Sequence, residues 1–222
     1  MIKAIFYKEW IKIRWSLLLI SLVYVLTILY TLISMNRSFR FAGDVHLWEM
    51  IIQKDLVLID LLKYLPLIAG VLIAIAQYIP EMIKRKLKLT IHLPLSPEKS
   101  IWNMLTFGLV ALLLINGIGA IIVSSILHFK LASDILVLWM QAFVPCVMAG
   151  FTAYLLTSWV CIEPQWKQRI INIIIALALI FLHFIKVPSG AYVMFVPVLL
   201  VFDAFCALFV FFSVSRFRQG VQ

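Results

Sequence analysis

Six apolar runs dominate the chain, at about residues 17–35, 56–79, 101–127, 135–162, 170–185 and 192–213. A helix needs ~20 such residues to cross the ~30 Å hydrocarbon core of a bilayer. Within lipid each backbone donor and acceptor must find its partner inside the structure, and a continuous apolar run does this as an α-helix. The sequence therefore predicts an all-α polytopic membrane protein with six transmembrane helices. Composition agrees. Apolar residues make up 64% of the 222 and charged residues 13%, against ~45–50% and ~25% in a soluble domain. So few polar side chains cannot cover a water-facing surface of this size. Six spans with short links use nearly the whole length, so 1–222 reads as a single transmembrane domain without a separate catalytic one. The first run, Leu17 to Met35, is too long for a signal-peptide core and no small-x-small cleavage pattern follows it, so a retained span is expected.

The net charge of +9 would point to nucleic acid in a soluble protein. Here no basic patch is interleaved with exposed aromatic residues, so no nucleic-acid partner is expected. Basic residues instead mark the cytoplasmic loops and touch anionic headgroups, which makes membrane lipid the expected contact. With the N-terminus placed in the cytoplasm, the inside segments hold 13 Lys and Arg and the outside segments 5. Both termini are therefore expected inside.

Residues 1–15, MIKAIFYKEWIKIRW, read as an interfacial helix. Ile2, Ile5, Phe6, Trp10 and Ile13 share one side of a helical wheel. Lys8 and Lys12 flank that side at i and i+4, and Lys3 and Arg14 lie at its other edge. Such a helix lies among headgroups with its lysines snorkelling to water. Glu9 falls in the middle of the apolar side, where a polar partner would explain it. Residues 36–55 read as a second short interfacial helix, leading into the second span.

Charge within a span is costly, ~2.5–3.5 kcal/mol at its centre on insertion scales. Asp203, in LLVFDAFCALF, is the clearest case. It either lines a path, pairs across a dimer interface, or is satisfied by neighbouring hydroxyls or a cation within the bundle. Asp60 and Lys63, at i and i+3, either pair with each other or extend a solvated helix end. Asn116, Gly117 and Gly119 lie in LINGIGA, where small residues let helices approach and Asn bonds across them. His46, His128 and His183 fall at the outer side without metal-ligand spacing. Cys146, Cys161 and Cys206 lie inside apolar runs and read as small buried residues. Glu163-Pro164 reads as a helix stop, with a second partner contact as the alternative. No nucleophile–base pair or metal cluster appears, so no catalytic or metal-ligating residue is assigned.

The segment between spans two and three is different. QYIPEMIKRKLKLTIHLPLSPEKSIW, residues 77–102, carries five basic residues and two glutamates around an apolar, proline-punctuated LTIHLPLSP. Leu87, Leu89, Ile91, Leu93 and Leu95 stand where lipid cannot cover them all, which points to a protein partner. A loop that merely binds anionic lipid accounts for Lys84–Lys88 but not for this apolar half. Ser96-Pro97-Glu98 has the form of a helix start, with Ser96 as cap and Pro97 in first position.

In these features the chain resembles type-2 ABC exporter permeases, the membrane subunits of ATP-driven transporters. The matching motifs are the basic-Glu pair Lys8-Glu9 on an N-terminal elbow helix and Glu81 followed, after a basic stretch, by Leu93-Pro94-Leu95-Ser96. The six-span topology with both termini inside matches over the whole chain. The link IKVPSGAY, residues 185–192, departs from the re-entrant helices many members place there.

The resemblance implies a permease subunit, an exporter in direction, in the inner (plasma) membrane of a bacterium. It implies a coupling loop over 80–100, with the coupling helix at about 82–93, through which Glu81, Arg85, Leu89, His92, Leu93, Pro94 and Leu95 meet a cytoplasmic P-loop ATPase. Lys8, Glu9 and Trp10 would belong to the elbow helix. A second permease copy or a paralogue would face this chain. ATP and magnesium would bind the partner, because this chain has no G-x-x-x-x-G-K-[ST] loop and no cofactor of its own is expected. The alternatives are a non-transporting scaffold or assembly factor docking a partner through 81–97, and an intramembrane enzyme whose only support is Asp203.

Overall fold

A computed structural model describes residues 2–53, 60–83, 97–130, 133–184 and 194–218. The regular elements among them are all helical. They are α1 (Ile2–Gln53), a 3-10 turn (Asp60–Tyr64), α2 (Leu65–Ile83), α3 (Pro97–Lys130), α4 (Ser133–Ile162), α5 (Trp166–Phe181) with a 3-10 turn (Leu182–Phe184), and α6 (Val196–Arg218). Six stretches are long and apolar enough to cross a membrane: Ile5–Arg37, Leu61–Ile83, Glu98–Phe129, Leu136–Ile162, Trp166–Phe184 and Val196–Arg216. They correspond to the six apolar runs of the sequence. The fifth is the shortest, at 19 residues.

The N-terminal region differs from its expected division. Residues 1–15 and 36–55 were each expected as short interfacial helices, yet α1 runs unbroken from Ile2 to Gln53. The physical reason lies in the sequence. No Gly or Pro occurs between Ile2 and Ala42, so nothing ends the helix that Leu, Ile, Lys and Arg favour. One buried stripe follows it at helical spacing: Ile5, Glu9, Ile13, Ile20, Tyr24 and Ile28. This stripe packs on α2 and α3. Trp10, expected beside Ile5 and Ile13, is instead 50% exposed.

α4 is the hub and packs on α2, α3, α5 and α6. Its approach to α2 is set by two glycines. A Cβ on Gly70 would lie 2.2 Å from the Gly150 carbonyl oxygen, and one on Gly150 would lie 2.6 Å from the Pro66 carbonyl oxygen. The backbones therefore touch without an intervening side chain, which is how small residues pack helices that hydrophobicity alone does not drive together in lipid. LINGIGA contributes differently from this pair. Gly117 faces no atom within 4 Å, and Gly119 meets the Tyr24 ring at 3.0 Å.

The outward faces are apolar as well. Leu18, Leu22, Leu113, Ile121, Ile174 and Val201 are each more than half exposed. So much uncovered hydrocarbon on every side fits a membrane protein and not a water-facing surface. α3 starts at Pro97 with Glu98 in its first turn. Proline has no N–H to lose there, and the acid complements the positive end of the helix dipole.

Candidate functional site

Polar side chains are scarce, so the places where they converge stand out. The first lies where α1 begins and α2 ends. Glu81, two residues before the end of α2, is fully buried. Lys8 Nζ lies 2.8 Å from Glu81 Oε1, and Lys12 Nζ donates to the same oxygen. Lys12 also holds Glu9 Oε1 at 2.7 Å. Two cations thus face two fully buried carboxylates, so the cluster is neutral overall. The polar partner that Glu9 required is Lys12, on its own helix one turn away. Glu9 sits in the buried stripe because that stripe meets Glu81 there. Among the described residues Glu9 Oε2 and Glu81 Oε2 have no hydrogen-bond partner. Such a pairing is sensitive to loss of either partner, because a buried carboxylate left alone costs several kcal/mol.

The second cluster joins the end of α4 to α5 and α6 at the same end of the bundle. α2 and α4 run parallel, with Gly70 beside Gly150 and Gln77 beside Tyr154, so Glu81 and Glu163 share that end. Glu163 is fully buried. Its Oε2 accepts from the Ser213 hydroxyl at 2.5 Å, and Arg216 Nη1 lies 3.3 Å from its Oε1. Arg169 donates to the Glu163 carbonyl at 2.6 Å, and Arg216 donates to Gln165 Oε1 at 2.9 Å. Glu163 does follow the last residue of α4, as a helix stop would. Its carboxylate points inward to α6.

Between the layers, Tyr154 of α4 donates to Gln77 Oε1 at 2.7 Å, and Gln77 Nε2 donates to the Met104 carbonyl of α3 at 2.8 Å. These bonds cross three helices and satisfy a buried amide. Tyr24 of α1 donates to Asn116 Oδ1 at 2.5 Å, so Asn116 bonds across helices as its position in α3 predicted. Asp203 is 7% exposed and accepts from the Thr152 hydroxyl. That matches the neighbouring-hydroxyl alternative. His183, expected at the outer side, is 6% exposed and also touches Thr152.

Of the other sequence candidates, Lys63 is half-buried in the turn before α2. The Asp60 side chain lies outside the described residues, as do Arg85, Leu89, His92, Leu93, Pro94 and Leu95. Lys12, Ser213, Arg216, Gln77 and Thr152 were not singled out in advance. Lys12 carried a signal, its i,i+3 spacing to Glu9. The others depend on which helices meet, which no local pattern encodes. Among the described residues no three His, Cys, Asp or Glu side chains converge as a metal site would require. The chain matches no family model, no curated protein and no solved structure.

Proposed function

We propose that this protein is a multi-pass membrane permease subunit of an ATP-driven ABC transporter, working as an exporter with both termini in the cytoplasm. A separate P-loop ATPase binds ATP and magnesium. The observation that carries this reading is the attachment of α1 to Glu81. The sequence 84–97, with five apolar residues and Pro-Leu-Ser-Pro, begins three residues after Glu81. Lys8 and Lys12 fix the root of that segment to α1. A force on the segment from a cytoplasmic partner therefore moves α1 and α2 together, and the Gly70–Gly150 contact carries it to α4. A loop that only touches lipid needs no such anchor.

A second copy or a paralogue completes the path. Substrate movement then follows from closure of the ATPase pair, transmitted through residues 80–100.

The test is affinity capture of the full chain from a mild detergent extract of its native membrane. A co-purifying P-loop ATPase, lost when Leu89, Leu93 and Leu95 are changed together to Ser, is the expected result. Capture of the intact chain with no ATPase, or with a partner lacking a P-loop, overturns the proposal in favour of a scaffold.

A further inference from the structure

Three elements bring together Thr152 within α4, His183 in the turn that ends the fifth span, and Asp203 two turns into α6. The Thr152 hydroxyl donates to Asp203 Oδ1 at 2.5 Å, and its oxygen lies 3.2 Å from His183 Nε2. All three are more than nine-tenths buried. Among the described residues Asp203 Oδ2 has no hydrogen-bond partner, whereas the His183 ring also meets the backbone of Leu179 and Ile180. Among the described residues no ion pair engages Asp203. Depth follows from helix geometry. Thr152 and Asp203 precede the bonded pair Glu163 and Ser213 by 11 and 10 residues. At 1.5 Å per residue they lie ~15–17 Å from that pair, and Asp203 lies ~10 Å from the start of α6, inside the sixth span.

We propose that these side chains form an intramembrane proton-binding site, in which Thr152 bridges His183 and Asp203 and one proton is held by the pair. A threonine hydroxyl has one proton to give and two lone pairs. The Thr152 proton is shared between Asp203 Oδ1 and the Met148 carbonyl at 3.1 Å, and the oxygen accepts from His183 Nε2–H when that nitrogen carries a proton. Asp203 and the His183 ring are then the two places for one proton. Oδ2 takes it as a carboxylic acid, and the ring takes it as an imidazolium. With neither protonated, the cluster holds a buried carboxylate with no counter-ion among the described residues, an arrangement that intramembrane acids escape by pairing or protonation. With one proton bound at either atom the net charge is zero. Uptake forms one O–H or N–H bond with a proton from water, raises the charge by one, and moves no electrons.

Titratable neighbours on the packed elements are Cys206, one turn along α6, Cys146 and Tyr154 on α4, and Lys63 and Tyr64 in the turn that packs on α4. Tyr64 stacks on Phe184 beside His183. A bound cation such as sodium is a different occupant, and the experiment separates it. The inference needs the helices to be membrane spans and does not depend on the permease reading.

The test is infrared difference spectroscopy on the full chain in lipid nanodiscs, titrated across pH ~5–9, the range of histidines and buried carboxyls. A protonated-carboxyl band that shifts in heavy water, changes with pH and is lost in Asp203→Asn is expected. The band should persist in Glu9→Gln, Glu81→Gln and Glu163→Gln. Its midpoint should move in His183→Gln and in Thr152→Val, which keeps the shape of threonine. A native-like circular dichroism spectrum in Thr152→Val separates loss of the bridge from loss of the fold. The proposal is overturned by a band that follows any of the three glutamates, by one that sodium removes at fixed pH, by a midpoint that moves with Lys63→Met and not with His183→Gln, or by absence throughout of both the carboxyl band and a pH-dependent histidine-ring band that is lost in His183→Gln.

Discussion

Replacing Lys12 with Met keeps the length of its apolar stem and removes its charge. In the folded protein Lys12 is 14% exposed and bonds two carboxylates that are fully buried. Glu81 keeps Lys8 when Lys12 is lost. Glu9 keeps only the attraction of the Lys8 charge, and its Oε2 has no hydrogen-bond partner among the described residues. Removing one member of a buried pair costs about 3–5 kcal/mol. With Glu81 still held, the lower end applies, and about 3 kcal/mol is roughly two powers of ten in the folding equilibrium. Lys8 is 37% exposed, so Lys8→Met should cost only about 1 kcal/mol, as for a surface pair. Adding Glu9→Gln to Lys12→Met should recover part of the loss, because an amide can be buried without a counter-ion at lower cost. Equilibrium unfolding in mixed micelles, followed by tryptophan fluorescence, reads all four proteins. Equal small losses for the two lysine variants, or a Glu9→Gln effect that adds to Lys12→Met, would refute the reasoning.

Other outcomes follow from the packing. Gly70→Ala and Gly150→Ala should each destabilise by about 1–3 kcal/mol through overpacking, and the pair should be less than additive because both act on one contact. Gly117→Ala, where a Cβ meets no atom within 4 Å, should instead be neutral or gain up to about 1 kcal/mol from helix propensity; thermal denaturation in detergent distinguishes them. Tyr24→Phe should cost about 0.6–1.7 kcal/mol, the range of interhelical hydrogen bonds in membranes, with no further loss when Asn116→Leu is added. Glu163→Gln should weaken the α4–α6 contact by about 1–3 kcal/mol, seen as faster proteolysis at the link 163–165.

The fold was legible where physics acts locally. Six apolar runs specify six helices because lipid admits few other backbones, and the short fifth run gave the shortest span. Glu9 was legible as an anomaly, a carboxylate on an apolar face, and its answer was partly local in Lys12. The division of α1 was misread because a change in polarity at residue 15 looks like a boundary, whereas a helix ends only where backbone chemistry ends it. Gly70 and Gly150 were not distinguishable from Gly117 in sequence. Each is a glycine in a helix, and only the neighbouring helix decides which one carries a contact. His183 ends the fifth span, as its position in the sequence predicts. Its burial depends on α4 and α6 closing over it, as the pairing of Thr152 with Asp203 does.

The central claim is that the segment after Glu81 docks a cytoplasmic ATPase. Photo-crosslinking from that segment in native membranes tests it most directly. A photoreactive residue at Leu89 or Leu93 is compared with one at Ile83, which is 74% exposed at the end of α2. The account predicts a crosslink from Leu89 and Leu93 to a P-loop ATPase and none from Ile83. Crosslinks to lipid alone from all three positions, or to a protein without a P-loop, would contradict it.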